Sequence, residues 1–233
     1  VKIAVEQREL LTIDALSLKK GPIALVGRNG AGKSTFLRTI MGMNTGFTGD
    51  ITIRDHSILD LSKAELAKEV AIVFSKSSIF GNHTGREVLM LGRLPYQNVF
   101  AKETTNDIAV VNNVVDTLQI KGFVDRTFER MSDGERQLIM IGRAMVQNSK
   151  IILLDEPGAF LDLVNRHKLL KVIQQLSTEK LIVFSTHDIA HLDTICEGVL
   201  LIENKEMLYL TQKGNFENRI RQSFGIEKTL NEI

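Results

Sequence analysis

The chain alternates short apolar runs with longer amphipathic stretches. A strand inside a parallel sheet is buried on both faces and reads as a short apolar run, whereas a surface helix has apolar residues every three or four positions. The pattern therefore predicts an α/β protein with a mainly parallel sheet. The predicted strands cover residues 10–18, 22–26, 50–53, 70–74, 151–155, 181–185 and 199–202.

Residues 81–131 depart from this rhythm. They contain no clear buried strand, but residues 106–118 have apolar side chains at helical spacing. We therefore predict a helical subdomain over residues 81–150, inserted into an α/β core formed by residues 1–80 and 151–233. The apolar positions of the predicted helix are Ile108, Val111, Val114, Val115 and Leu118.

Of the 233 residues, 43% are hydrophobic, as in an ordinary globular protein. The 29 Lys and Arg residues nearly balance the 28 Asp and Glu residues, so no overall field attracts nucleic acid or acidic lipid. Cys196 is the only cysteine, which is typical of a reducing compartment. No apolar run approaches the roughly 20 residues of a membrane-spanning helix. We expect a cytoplasmic protein that binds anions locally.

Residues 27–34 read Gly-Arg-Asn-Gly-Ala-Gly-Lys-Ser and fit the phosphate-loop pattern G-x-x-x-x-G-K-[ST]. They follow a predicted strand and open a predicted helix, as that pattern requires. The glycines allow backbone N–H groups to surround an anion, Lys33 is suited to the β- and γ-phosphates, and Ser34 is suited to Mg²⁺. The nucleotide-binding candidates are Gly27, Arg28, Asn29, Gly30, Ala31, Gly32, Lys33, Ser34 and Thr35.

Two acids end the apolar run at residues 151–154. Successive side chains of a strand point in opposite directions, so Asp155 and Glu156 are expected to have different roles. Asp155 is suited to holding Mg²⁺, and Glu156 is suited to orienting or deprotonating the attacking water. Taken alone, such a pair is more typical of a solvated strand end or a helix N-cap.

Three further segments, together with the phosphate loop, resemble the ATPase subunits of ABC transporters. Met131-Ser132-Asp133-Gly134-Glu135 is similar to the family signature Leu-Ser-Gly-Gly-Gln. Residues 158–162 end in the Leu-Asp of the family's D-loop, and His187 matches its switch histidine. The resemblance covers nearly the whole chain. It implies a P-loop NTPase fold with an N-terminal antiparallel β part, and a protein that hydrolyses ATP with Mg²⁺.

The resemblance also implies partners and roles. Glu156 and His187 would be catalytic, and two copies would dimerise head to tail around two ATP molecules. The signature segment of one copy would then face the γ-phosphate held by the other, through Ser132, Asp133, Gly134 and Glu135, with Asp162 nearby. A transmembrane permease would hold the dimer on the inner face of the membrane. Residues 86–96 are similar to ATPases that serve importers of iron chelates, haem and cobalamin.

Three features depart from the family pattern. Ser75 occupies the position of a glutamine that contacts Mg²⁺, and Asp133 replaces the first signature glycine. No aromatic residue precedes Phe36, so the usual ring that stacks on adenine is missing. Arg8 is a candidate for stacking through its guanidinium plane.

Other interpretations remain open. A soluble ABC-type ATPase acting on nucleic acid or the ribosome agrees less well with the near-zero net charge and with the single ATPase domain. A nucleotide-binding module with decayed hydrolysis would explain Ser75 and Asp133. His187 and His191 have the spacing of a helical metal site, but no third ligand is evident in the sequence.

Overall fold

The computed structural model describes residues 1–6, 8–75, 81–97 and 103–226, which form a large sheet covered by helices on both faces. The predicted subdomain boundary at residue 80 and the end of the predicted core at residues 227–233 lie outside these residues. The strands in the described ranges are β1 (Lys2–Val5), β2 (Arg8–Thr12), β3 (Gly21–Gly27), β4 (Phe47–Thr48), β5 (Thr52–Ile53), β6 (His56–Ser57), β7 (Val70–Val73), β8 (Ile151–Leu154), β9 (Leu181–Ser185), β10 (Gly198–Glu203) and β11 (Glu206–Leu210).

The helices in the same ranges include two short 3-10 segments, Leu91–Tyr96 and Phe128–Arg130. None of them is long and apolar enough to cross a membrane. The α-helices are α1 (Lys33–Ile40), α2 (Lys63–Glu69), α3 (Gly85–Met90), α4 (Thr105–Leu118), α5 (Asp133–Val146), α6 (Leu163–Ser177), α7 (Leu192–Ile195) and α8 (Phe216–Phe224). The helix predicted over residues 106–118 is α4.

The strand order of the large sheet is β4-β1-β2-β11-β10-β3-β9-β8-β7, and β5 and β6 form a separate hairpin. The five strands from β10 to β7 are parallel, whereas β1 pairs antiparallel with β2 and β4. These pairings confirm the predicted α/β fold. Because the central strands are parallel, their carboxyl ends lie along one edge of the sheet, where α/β proteins bind ligands.

The predicted strand at residues 10–18 is too long, since β2 ends at Thr12. Thr12 pairs with Lys2, the first residue of β1, and its contact with β11 is limited to the pair with Glu206. One further pair of backbone hydrogen bonds joins Ile13 to Val1, at 2.6 and 2.8 Å, but neither β1 nor β11 pairs with a later residue of the predicted strand. Strands β1 and β11 were not predicted.

The two faces of the sheet bury separate apolar clusters. Along β3, Ala24 and Val26 belong to the cluster that includes residues of α4, α5 and α6, while Ile23 and Leu25 belong to the cluster that includes residues of α1 and α2. All four are at most 1% exposed, as expected for a central strand covered on both sides. This rigid strand leads directly into the phosphate-loop pattern.

The helices between β7 and β8 are tied together by a buried ion pair. Arg93 Nε donates to Asp107 Oδ1 at 2.7 Å, with both side chains less than 10% exposed. Arg93 also donates to the carbonyl of Val146 at 3.1 Å. One guanidinium therefore connects the first 3-10 segment to α4 and to the end of α5.

Candidate functional site

The phosphate-loop residues form the turn between β3 and α1. Gly30 and Gly32 have φ angles of 76° and 100°, which lie in the left-handed region that favours glycine. Gly32 is the N-cap of α1 and offers no capping side chain. In contrast, α2 to α6 each have a side chain on their N-terminal N–H groups. The start of α1 is thus suited to an external anion, which a helix N-terminus attracts.

Lys33 lies under this loop and is only 6% exposed. Its Nζ donates to the carbonyl of Gly27 at 2.8 Å and lies 3.3 Å from Nε2 of His187. Burial lowers the pKa of Lys33, and the charges of Glu156 and Asp155 oppose that change. The Lys33 ammonium is therefore held by the Gly27 carbonyl, in the field of two carboxylates, at the site where phosphates are expected.

Arg28, one of the nucleotide-binding candidates, also has a side-chain contact. Its Nη2 donates to the carbonyl of Phe224 at 3.4 Å. The phosphate loop and the end of α8 are therefore in contact. The Arg8 candidate for adenine lines a cavity of about 210 Å³ beside the loop, and Phe224 is among the other lining residues.

Asp155 follows β8 at the carboxyl edge of the sheet and is 3% exposed. Its N–H donates to the carbonyl of Val73 at 2.8 Å, and its Oδ1 accepts a hydrogen bond from Ser185 Oγ, also at 2.8 Å. A buried carboxylate needs such partners, because its desolvation would otherwise be costly. Asp155 is therefore a fixed anion next to the phosphate loop.

Glu156 has a φ of 49°, a left-handed conformation that costs roughly 1–2 kcal/mol for a residue with a side chain. Its N–H donates to Ser185 Oγ at 2.8 Å, and its Oε1 lies 2.8 Å from Nε2 of His187. The two side chains are 34% and 46% exposed, respectively. Glu156 and His187 thus form a hydrogen-bonded pair that solvent can reach, as both candidate roles require.

Ser75 is half-buried and lies two residues beyond the end of β7. The hydrogen bond from Asp155 N–H to Val73 brings this segment next to the acidic end of β8. Its position is compatible with a role at the metal site through its hydroxyl.

The signature candidates lie at the N-terminus of α5. Ser132 is the N-cap, and its hydroxyl and N–H both bond to the side chain of Glu135, at 3.2 and 2.9 Å. Glu135 also forms an ion pair with Arg126. Asp133 is 72% exposed in a pair with Arg136 at 3.4 Å, so its charge remains accessible.

The signature and D-loop candidates share one pocket of about 420 Å³. Ser132, Asp133, Gly134 and Glu135 line one part of it, and Phe160 and Asp162 line another. Asp162 is itself the N-cap of α6, where it accepts from Asn165 N at 2.7 Å. The described lining includes no phosphate-loop residue, so the candidates form two separate groups on one chain.

Two residues with contacts at the site were missed from the sequence. Ser185 bonds to both Asp155 and Glu156, and Arg166 reaches the Gly158 carbonyl at 3.4 Å and Asp188 at 3.7 Å. A polar residue ending the apolar run at residues 181–184 was the available signal for Ser185. Nothing in the sequence pattern indicated Arg166.

A preformed metal cage of protein ligands is not found in the described residues, since no group of three or more His, Cys, Asp or Glu side chains is arranged to hold an ion. His187 and His191 therefore belong to no such group. His191 is the N-cap of α7. Ser34 and Asp155 nevertheless supply oxygen donors, which Mg²⁺ prefers. Mg²⁺ commonly combines one or two protein carboxylates with substrate phosphates, and this donor set fits that arrangement.

The sequence profile of the family described as ABC transporter matches residues 12–159. The chain is 36% identical over 196 residues to an ABC transporter ATP-binding protein of Methanocaldococcus jannaschii, covering 83% of this chain and 68% of the relative. It is 32% identical to a cobalamin import ATP-binding protein of Halobacterium salinarum, covering 77% and 45%, respectively. It is 30% identical to an iron(3+)-hydroxamate import ATP-binding protein of Bacillus subtilis, covering 76% and 66%.

Solved structures share the fold. An ATP-binding cassette of an ABC transporter in its ADP conformation has a TM-score of 0.81 at 18% identity, covering 99% of this chain and 96% of that one. A dimeric cassette bound to ADP and phosphate after hydrolysis has a TM-score of 0.78 at 22% identity, covering 91% and 96%. At these identities the likeness establishes the fold alone.

Proposed function

The chain belongs to the ABC transporter family, and on that premise we propose that it is an ATP-hydrolysing subunit that forms a head-to-tail dimer around two ATP molecules and powers a membrane permease. The observation that carries the proposal is the contact of His187 with both Lys33, at the end of the phosphate loop, and Glu156, after β8. A phosphate-binding cation, a base and a switch histidine thereby meet at one edge of the sheet.

Each phosphate-site residue has a physical role in this proposal. The N–H groups from Gly27 to Thr35 bind the phosphates, and the Lys33 ammonium neutralises their charge. Ser34 and Asp155 hold Mg²⁺, with Ser75 contributing through a bridging water. When bound, Mg²⁺ supplies positive charge next to the phosphate oxygens. Glu156 orients the attacking water and takes up its proton, while His187 donates towards the γ-phosphate as charge develops there.

The two separate groups of candidates support a dimer. A signature segment that binds a γ-phosphate needs one from a second chain, because its own pocket contains no phosphate-loop residue among the described residues. Head-to-tail apposition of two copies would complete two such sites. In this assembly Ser132, Gly134 and Glu135 are close to the partner's nucleotide, and Asp162 positions the D-loop.

The family and its relatives support a proposal for the partner and the cargo. We propose a transmembrane permease on which the dimer is held at the cytoplasmic face of the membrane, with residues 81–150 as a helical subdomain on a core of residues 1–80 and 151–233. The named relatives that import cobalamin and iron(3+)-hydroxamate support an iron chelate, haem or cobalamin as cargo. The near-zero net charge argues against a nucleic-acid partner.

Phosphate release from Mg-ATP by the purified chain tests the enzymatic part, with Lys33→Ala as the inactive control. The parent should release phosphate, and the control should not. Binding of ATP by the parent without hydrolysis would instead favour a decayed module. Purification of the chain from native membranes tests the permease part, and recovery without any transmembrane protein would contradict it.

A further inference from the structure

We propose that Ser185 is a positioning residue. Its single hydroxyl sets both the affinity of the Asp155 site for Mg²⁺ and the orientation of Glu156. The inference rests on the proposed function, because it assigns Asp155 to the metal and Glu156 to the attacking water. It adds a residue from a third strand segment to that site.

The contacts of Ser185 are buried and short. Its side chain is fully buried at 0% exposure, and its Oγ donates to Asp155 Oδ1 and accepts from Glu156 N, each at 2.8 Å. A hydroxyl has one proton to donate, and here that proton goes to the carboxylate. The pairing of Leu154 with Phe184 in β8 and β9 brings Ser185 level with Asp155, so the contact is a consequence of strand register.

Loss of the hydrogen bond that Ser185 donates to Asp155 should lower the affinity of the site for Mg²⁺. Without the Ser185 hydroxyl, Oδ1 of Asp155 would lack this donor in a buried setting, and the carboxylate could rotate away from its present orientation. Groups that hydrogen-bond a metal ligand typically change metal affinity by about 10–100-fold. We therefore expect the Mg²⁺ concentration for half-maximal turnover to rise about tenfold in Ser185→Ala.

Loss of the hydrogen bond that Ser185 accepts from Glu156 N–H should affect the orientation of Glu156, the proposed base. Glu156 has a left-handed backbone, which persists only where surrounding contacts impose it. The bond from its N–H to Ser185 is one such contact. Without it, the Glu156 carboxylate should be less precisely oriented, and kcat at saturating Mg²⁺ should fall by about tenfold with little change in KM for ATP.

Ser149 provides a matched control. It is also 0% exposed, and its Oγ donates at 2.8 Å to the carbonyl of Ile151, at the opposite end of β8 from Asp155. Ser149→Ala therefore removes an equally buried hydroxyl and hydrogen bond away from the site. Ser185→Thr retains a hydroxyl and tests rescue. Thermal unfolding of each variant checks that it is folded.

Two measurements separate this inference from the proposed function. The first is a Mg²⁺ titration of ATP turnover. The second, which needs no hydrolysis, is calorimetric binding of the β,γ-imido analogue of ATP with Mg²⁺ and with EDTA. In Ser185→Ala the Mg²⁺-dependent increase in affinity should shrink about tenfold while affinity in EDTA stays at the parent value. Ser149→Ala and Ser185→Thr should behave as the parent.

A parental Mg²⁺ response in Ser185→Ala, or an equal loss in Ser149→Ala, would overturn the inference, as would a folded Ser185→Thr that fails to rescue. Failure of the proposed function would give different results. A parent that binds the analogue more tightly with Mg²⁺ but releases no phosphate would contradict hydrolysis and leave the positioning role supported. A parent without any Mg²⁺ effect on binding would overturn both.

Discussion

Nε2 of His187 lies 2.8 Å from Oε1 of Glu156, and the same nitrogen lies 3.3 Å from Nζ of Lys33. With its proton on Nε2, the imidazole donates to the carboxylate and has no lone pair on that nitrogen for the ammonium. Lys33 accordingly donates to the carbonyl of Gly27 at 2.8 Å. His187 thus contacts both other side chains that are proposed to act on the γ-phosphate.

We expect Glu156→Gln to lower ATP turnover by a factor of about 10²–10⁴, the usual contribution of general-base catalysis. The amide keeps the volume of the side chain and can still accept from His187, but it cannot take a proton. Phosphate release measures the effect. Nucleotide binding should survive, and the ATP-dependent dimer should persist longer on size exclusion. Glu179→Gln, an exposed site at the amino end of β9, should match the parent; near-parental turnover in Glu156→Gln would refute the assignment.

We expect Gly134→Asp to abolish ATP-dependent dimerisation while sparing nucleotide binding by the monomer. The change adds a carboxylate beside Asp133 where the partner's γ-phosphate is expected, and like charges repel. A Cβ at this position would also lie 3.1 Å from the carbonyl of Phe160, which further narrows the space. Sedimentation with and without ATP measures association.

Gly122→Asp is the matched control for the signature variant, because a Cβ there has nothing within 4 Å. It should dimerise as the parent does. Equal loss of nucleotide binding in Gly134→Asp would point to a folding defect and remove the support for a shared site.

We expect Ser75→Ala to lower Mg²⁺-dependent turnover by about tenfold or less, which corresponds to about 1.4 kcal/mol or less in the barrier. In the proposed site the hydroxyl of half-buried Ser75 contacts Mg²⁺ through a bridging water, so its removal should cost little of the interaction with the metal. Ser75→Gln should raise turnover by restoring a direct contact. A Mg²⁺ titration compares the variants. Inactivity of Ser75→Ala would make the serine essential, and no effect of Ser75→Gln would mean that the residue is misaligned with the family glutamine.

We expect Asp107→Asn to destabilise the fold by about 3–5 kcal/mol at neutral pH, because it leaves Arg93 buried without its counter-charge. The hydrogen bonds from Arg93 and Thr104 lower the pKa of Asp107. Its contribution is therefore complete above the unfolded pKa of about 3.9 and is lost as pH falls through the lower folded pKa. The stability difference between variant and parent should narrow only below about pH 4.

Urea unfolding between neutral and acidic pH measures this difference. Asp116→Asn, on an exposed position of the same helix, should differ little from the parent at any pH. A gap between Asp107→Asn and the parent that stays constant into the acidic range would contradict the assignment to the ion pair.

The phosphate loop and α4 could be predicted because each depends on neighbouring residues. The loop is a continuous segment at a strand-to-helix junction, and Gly30 and Gly32 have left-handed φ angles. The apolar spacing of residues 106–118 corresponds to a buried stripe that includes Val111, Val114 and Leu118, but Ile108, which the same spacing placed in the stripe, is 46% exposed. In contrast, β1 and β11 are short and partly exposed, so no apolar run marked them.

The sequence by itself determined the candidate groups: a phosphate loop, two acids after a strand, and a histidine after another. The tertiary structure decided which of them touch. Ser185 reaches Asp155 across 30 positions of sequence, and His187 reaches Lys33 across 154. Such contacts depend on the register of parallel strands and on a left-handed turn at Glu156. Both result from packing between distant segments, which a local pattern of residues does not encode.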